Sequence, residues 1–270
     1  SRGLGDVYKR QDMNTDALFG IAGKHAIVTG SSRGIGRACA LYLAQAGVSV
    51  AVNYRTDLDA AEETLAQIRA GGGNGVVIQA DVSTPEGVRQ LCQAAEEKLG
   101  HIDILVSNVG IGSKMTAEEL SCEEFLRMLQ TNLFSHAEAV KQLLAGMKAC
   151  RWGRIICMSS VVGRSGKAFI GTSPAYAAAK GALISYTRSL ARECGPYGIT
   201  ANSICPGWID WPGKNRPVTE AFRAAAIREM PVGRTGTAQD VAGAAVFLAS
   251  NLAEYVNGVA LDVNGGLYMA

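Results

Sequence analysis

Tyr176 and Lys180 stand four residues apart in the run Ser173-Pro-Ala-Tyr176-Ala-Ala-Ala-Lys180-Gly-Ala-Leu183. The stretch favours helix, so both side chains fall on one helical face. A phenol is a poor acid near neutral pH unless its anion is stabilised, and an ammonium one turn away can do that. Such a pair also occurs on ordinary solvated helices, so it gains weight only from its company. Ser160 ends an apolar, strand-like run, Arg154-Ile-Ile-Cys-Met-Ser-Ser160, and could hold a reacting oxygen by a hydrogen bond. Together the three residues could move a proton to or from a bound ligand.

A second constellation lies near the start of the chain, in Lys24-His-Ala-Ile-Val-Thr-Gly30-Ser-Ser32-Arg33-Gly34-Ile35-Gly36. A short apolar strand runs into glycines, and a helical pattern begins at Ile35. Glycines let the backbone approach a ligand closely, and a helix N-terminus offers free N–H groups to a pyrophosphate. The spacing is Gly-x-x-x-Gly-x-Gly, not the more familiar Gly-x-Gly-x-x-Gly. An ordinary strand-to-helix turn is the competing reading. Gly30-Ser-Ser32-Arg-Gly34 is also formally a Gly-x-Ser-x-Gly nucleophile elbow. That reading needs a downstream His, and none follows His136.

The elements that position these residues alternate strand and helix, the pattern of a parallel sheet covered on both faces. Strands are expected at 25–29, 48–53, 75–80, 102–107, 153–159, 200–205 and 259–263. Helices are expected at 35–46, 58–70, 85–99, 122–149, 174–194 and 238–250, with another from about 219 to 229. Right-handed crossovers make this an α/β, doubly wound, Rossmann-type sheet of about seven strands, with ligands at the carboxyl ends.

Composition is compatible with one large core. The chain has 270 residues, 48% hydrophobic and 19% charged, with net charge +2. No basic cluster suits nucleic acid or an anionic membrane, and no apolar stretch reaches transmembrane length. The seven Cys are odd in number without paired Cys-x-x-Cys spacing, which points to reduced thiols in a cytoplasmic protein. His25, His101 and His136 form no ligand cluster, so no metal is expected. Residues 1–12 read as the in-frame translation of a sequencing adapter or as an ordinary tail, and residues 13–270 as a single domain.

The ordered set Thr29-Gly-Ser-Ser-Arg-Gly-Ile-Gly36, Asp81-Val82, Ser107-Asn108-Val109-Gly110, Asn132, Ser160, Tyr176-x-x-x-Lys180 and Pro206-Gly207 resembles the short-chain dehydrogenases/reductases. In overall pattern the chain is similar to their 3-oxoacyl-carrier-protein reductase-like members, and to related sugar and steroid dehydrogenases. The resemblance implies an oxidoreductase that interconverts a carbonyl and a secondary alcohol with a nicotinamide cofactor. Tyr176 would transfer the proton, Lys180 would favour its phenolate, Ser160 would hold the reacting oxygen, and Asn132 would hold a water linking the lysine to solvent. In the glycine turn, Gly30, Ser32, Arg33, Gly34, Ile35 and Gly36 would bind the cofactor. Asp81 and Val82 would lie beside the adenine, although Asp81 could instead cap a helix. Asn108, Gly110, Pro206 and Gly207 would lie along the cofactor, with Tyr176 and Lys180. A non-catalytic nucleotide-binding regulator on this fold is disfavoured, since Asn132, Ser160, Tyr176 and Lys180 are all present.

The second strand ends in Asn53-Tyr-Arg55, and its first acid, Asp57, comes later. An acid at the strand end would repel a 2′-phosphate. With Arg33 in the glycine turn, NADP(H) is therefore expected over NAD(H). The family implies a homotetramer, with a dimer as alternative, packed through the helices at 122–149 and 174–194. The chain departs from the family pattern at Ser107 and Val109, in an insertion at 167–171, and after Pro206-Gly207. There Trp208 and Trp211 replace the usual Thr, either as a lid selecting a bulky substrate or as anchors of the loop. Carrier-protein reductases place basic residues at positions occupied here by Arg151 and Tyr197.

Overall fold

The computed structural model describes residues 19–167, 173–211 and 218–269. Seven strands form one parallel sheet in the order β3-β2-β1-β4-β5-β6-β9: β1 His25–Val28, β2 Ser49–Tyr54, β3 Gly75–Gln79, β4 Ile104–Ser107, β5 Gly153–Met158, β6 Ile199–Pro206 and β9 Ala260–Val263. A two-stranded ribbon pairs β7 Ile209–Asp210 with β8 Gly236–Thr237. The helices are α1 Gly34–Gln45, α2 Leu58–Ala70, α3 Pro85–Leu99, α4 Cys122–Leu129, α5 Ser135–Cys150, α6 Val162–Ser165, α7 Pro174–Cys194, α8 Glu220–Arg228 and α9 Ala238–Ala249.

Alternation along each strand divides the core between the two sheet faces. Ala26 and Val28, Ile104 and Val106, and Ile156 and Met158 face α1, α2 and α9. Their neighbours Ile27, Leu105, Ile155 and Cys157 face α3, α5 and α7. Both faces are buried, which is why these strands read as continuous apolar runs. The strand order reverses between β1 and β4, the place where an open α/β sheet forms a crevice at its carboxyl edge.

Local signals account for the helix ends. Asp57, Thr84 and Ser173 cap α2, α3 and α7 with their side chains, and Pro85 and Pro174 occupy first turns. Three expectations need correction. The helix expected at 122–149 is two helices joined by a π turn at Gln130–Phe134, because the Asn132 side chain bonds backbone outside the helix. β4 begins at Ile104, since the Asp103 side chain accepts from the His25 N–H and from Lys24. The loop expected around Trp208 and Trp211 instead carries the short strand β7 at Ile209–Asp210. Residues 1–12, most of the insertion at 168–171, and 212–217 lie outside the described residues.

Candidate active site

A cleft of about 1140 Å³ follows the carboxyl edge of the sheet. Of the residues expected to bind the cofactor or substrate or to do the chemistry, all line it except Gly36 and Asn132. At one end lies the glycine turn. Gly30 and Gly34 have φ of +62° and +59°, and a Cβ on Gly36 would sit 2.3 Å from the Gly30 carbonyl oxygen. The turn can therefore fold back on its own helix only with glycine there. The N-cap of α1, Arg33, makes no side-chain cap bond, and the first turn holds no acid. These amides are thus available to an anion.

Buried polar side chains hold the turn in place. The Asn53 amide oxygen accepts from the Gly30 N–H (3.0 Å), and its nitrogen donates to the Ala80 carbonyl (3.1 Å). Asn53 thus lines the cleft with its amide already committed to backbone. Arg37, which sequence reading passed over, donates to the Ser32 and Ala60 carbonyls and ties the turn to α2. Thr29 Oγ1 accepts from the N–H groups of Asn108 and Val109 (2.8 and 3.1 Å), joining β1 to β4. The tie runs through backbone N–H groups, so it does not depend on the side chains at Ser107 and Val109 where the chain departs from the family pattern.

Two acids and two arginines surround this end of the cleft, and the field of Arg55 reaches Asp81. Asp81 accepts from the N–H and hydroxyl of Ser83, and the hydroxyl bond holds its carboxyl below the usual range. It does not cap α3, a role taken by Thr84. Asp57 is spent capping α2. Arg33 and Arg55 are exposed on the cleft and make no ion pair among the described residues.

At the other end, α7 brings Lys180 against the end of β5. The Lys180 ammonium donates to the Met158 carbonyl (2.8 Å) and lies 5.9 Å from the centre of the Tyr176 ring. Burial pushes its pKa down to about 8, while the nearby Cys157 and Cys205 thiols act in the opposite direction. The paired serines have different partners. Ser159 Oγ donates to the Lys180 carbonyl (2.8 Å), so its hydroxyl locks β5 to α7. Ser160 Oγ accepts from the Val162 N–H (3.2 Å), which leaves its proton for another oxygen. Asn132 is wholly buried behind this end; its amide donates to the Ile111 carbonyl (3.0 Å) and accepts from the Ile111 N–H (3.2 Å).

The two tryptophans part company. Trp208 is 4% exposed, packs with Ala226 and Met230, and donates from Nε1 to Asp210 (2.8 Å). Trp211 lies over the glycine turn, where a Cβ on Gly34 would come within 2.8 Å of its indole. Arg151 and Tyr197 sit at the amino edge of the sheet, before β5 and β6, a strand's length from the cleft. No described helix is long and apolar enough to cross a membrane, and the described residues hold no cluster of potential metal ligands.

A family model described as enoyl-(acyl carrier protein) reductase matches residues 30–268. The chain is 40% identical over 250 residues to the 3-oxoacyl-(acyl-carrier-protein) reductase FabG of Pseudomonas aeruginosa, covering 93% of this chain and 99% of that one. A crystal structure described as a short-chain alcohol dehydrogenase from Sinorhizobium meliloti 1021 superposes with TM-score 0.85 at 32% identity, over 91% of this chain and 96% of that one. A blue fluorescent protein from a metagenomic library, solved in complex with NADPH, gives 0.83 at 34% identity, over 92% and 99%. Likeness of this extent, on a sheet whose cleft gathers a glycine turn, a serine and a tyrosine–lysine pair, settles kinship: the chain belongs to the short-chain dehydrogenase/reductase family and is an NAD(P)(H)-dependent oxidoreductase acting on CH–OH or C=O groups.

Proposed function

We propose that this enzyme reduces a carbonyl to a secondary alcohol with NADPH, acting on a 3-oxoacyl thioester or a ketone of similar shape. The carrying observation is the convergence of Ser160, Tyr176 and Lys180 on one cleft whose far end is an uncapped helix N-terminus flanked by Arg33 and Arg55, which make no ion pair among the described residues.

The cleft fits a phosphorylated dinucleotide. The α1 amides with Gly34 and Gly36 would cradle the pyrophosphate, and Arg33 and Arg55 would take a 2′-phosphate as charge-assisted donors. Asp81 and Val82 would flank the adenine; Asn108, Gly110, Pro206 and Gly207 would line the path toward Lys180. When bound, the nicotinamide supplies the hydride. The protein's own part is proton transfer and charge stabilisation. Tyr176 gives its phenolic proton to the developing alkoxide and takes it back in the reverse direction. The Lys180 ammonium stabilises the phenolate that remains. Ser160 donates to the same oxygen as charge builds there. Asn132 fixes the backbone beside Lys180, and Trp208 and Trp211 shape the mouth.

Two groups directed at one oxygen favour a carbonyl over a carbon–carbon double bond. The name of the Pseudomonas relative supports an oxoacyl thioester, whereas Arg151 and Tyr197 lie away from the cleft and give no support to carrier docking. We place the enzyme in the cytoplasm, on its reduced buried thiols, as one catalytic domain from residue 13 onward. We also propose a homotetramer, because a groove of about 440 Å³ between α5 and α7, lined by Val140, Leu144 and Leu190, is suited to a second copy. The test is NADPH oxidation against oxoacyl thioesters, enoyl thioesters, ketosteroids and sugars. Oxoacyl turnover that falls at least about a hundredfold in Tyr176→Phe, with NADPH binding retained, is the expected result. Retained activity in that variant defeats the mechanism, and a preference for enoyl thioesters defeats the substrate assignment.

A further inference from the structure

His136 plays no part in the reaction just described, yet it is wholly buried one turn beyond Asn132. Its Nε2 lies 3.2 Å from the Val109 carbonyl. A carbonyl accepts only from a protonated nitrogen, so the proton sits on Nε2 and Nδ1 is a bare acceptor. Nδ1 is buried with no partner among the described residues. Two residues along the same segment, Asn132 holds both the N–H and the carbonyl of Ile111. Gly110 lies between these two grips. A Cβ there would be 2.7 Å from Asn132 Oδ1 and 3.1 Å from the Lys180 ammonium nitrogen. The Lys180 ammonium therefore stands beside the space a Gly110 side chain would fill, next to backbone that the π turn and the start of α5 hold on both sides.

The imidazole is suited to this place because it stays uncharged. Burial, reinforced by the field of Lys180, pushes its pKa down to about 3. A cationic side chain here would oppose the buried ammonium, and an apolar one would leave the Val109 carbonyl without its donor.

We propose that His136 is a positioning residue for the tyrosine–lysine pair: with Asn132 it clamps Val109–Ile111, and that clamp determines where the Lys180 ammonium stands relative to Tyr176. The inference rests on the proton-transfer role proposed for Tyr176. With the clamp loosened, the ammonium spreads over more positions and stabilises the phenolate less. The other charged groups on Tyr176's side of the cleft are Lys114, Arg127 in its pair with Glu124, and Lys167 in its pair with Glu229. Lys180 is the charge whose field reaches His136.

The test reads Tyr176 ionisation without any substrate, by ultraviolet tyrosinate absorbance of the full chain. Each protein is paired with its own Tyr176→Phe version, so that the difference isolates one phenol. His136→Gln keeps a donor at the reach of Nε2, and His136→Asn is too short to supply it. The Asn variant is expected to move Tyr176 ionisation to higher pH by on the order of half a unit, the Gln variant to leave it near wild type. The pH profile of kcat should move in the same direction. A merely structural histidine would lower Tm in the Asn variant and leave the titration unmoved, and that result overturns the inference. Failure of wild type to oxidise NADPH with any carbonyl would count against the proposed function instead, since the titration is read without turnover.

Discussion

Gly163→Ala tests whether the crossing of α6 on α7 sets the site geometry. A Cβ on Gly163 would lie 2.6 Å from the Lys180 carbonyl carbon and 2.8 Å from both the Lys180 oxygen and the Gly181 nitrogen. All three are backbone atoms, so no side chain can swing aside. Restoring ordinary contact requires the two segments to part by about 0.8 Å. The Gly163 N–H bonds the Ser160 carbonyl (3.0 Å), and Ser159 bonds the same Lys180 carbonyl that the new methyl would strike. The movement therefore separates Ser160 from Lys180 and Tyr176. A misplacement of this size costs about a hundredfold in kcat, with about 1–3 kcal/mol of overpacking strain. Gly181→Ala is the matched control, because its Cβ meets only the Gly163 oxygen, at 3.3 Å. It should keep kcat within about threefold, its contact strain offset by the gain in helix propensity. Steady-state kinetics, NADPH titration and thermal melts of both variants decide the matter. A folded Gly163→Ala enzyme with wild-type kcat and Tm would refute the reasoning.

Replacing Arg33 and Arg55 together with Ser should weaken NADPH binding by about 10- to 100-fold and leave NADH nearly unchanged, as read by fluorescence titration; equal losses on both cofactors would remove the 2′-phosphate assignment. Lys180 has its pKa lowered from 10.5 to about 8 by burial, so between those values the unfolded chain binds more protons than the native one. Its contribution to stability accordingly rises with pH across that window, by up to about 3 kcal/mol. The buried thiols of Cys39 and Cys92, raised to about 12, oppose this above pH 9, so the quantity to measure is the denaturation difference between wild type and Lys180→Met. A difference that stays flat from pH 7.5 to 10.5 would contradict the shift. Trp208→Ala should destabilise by about 3–5 kcal/mol through its buried cluster, whereas Trp211→Ala should mainly raise the NADPH Kd; substrate KM changes in both at unchanged Tm and Kd would favour the lid reading instead.

Elements whose signals are local were legible end to end. Helices α2, α3 and α7 begin and end where 58–70, 85–99 and 174–194 were expected, because a capping side chain precedes each and a glycine follows each. The cleft was legible for a similar reason: its residues sit at strand ends, and parallel topology gathers strand ends at one edge. What stayed hidden depends on backbone far away in sequence. Nothing near Asn132 announces that its amide will bond Ile111 and open a π turn. Trp208 and Trp211 are three residues apart and equally apolar, and only the partner across the fold distinguishes a buried anchor from a side chain laid on the glycine turn. His136 looked like one of three unremarkable histidines until Val109 was placed against it.

Hydrogen-bond accounting separates the scaffold of this cleft from the groups left to meet a ligand. Of two adjacent serines, Ser159 spends its proton on the Lys180 carbonyl, and Ser160 keeps its own. At the end of β2, the Asn53 amide is consumed by the Gly30 turn and the Ala80 carbonyl, while Arg55 two residues on makes no ion pair among the described residues, although its field reaches Asp81. Asp57 and Asp81 lie near the same end, and both have carboxylates held by neighbouring N–H or hydroxyl groups. Their negative charge remains, but it is turned into the loops that carry it. Buried polar groups must be paired to be tolerated, so a fold of this kind fixes most of its site residues as structure. The groups it leaves without a hydrogen-bond or ion-pair partner among the described residues, a hydroxyl proton, two guanidiniums and the amides of a bare helix end, suit a phosphate-bearing cofactor at one end and an oxygen that gains negative charge at the other.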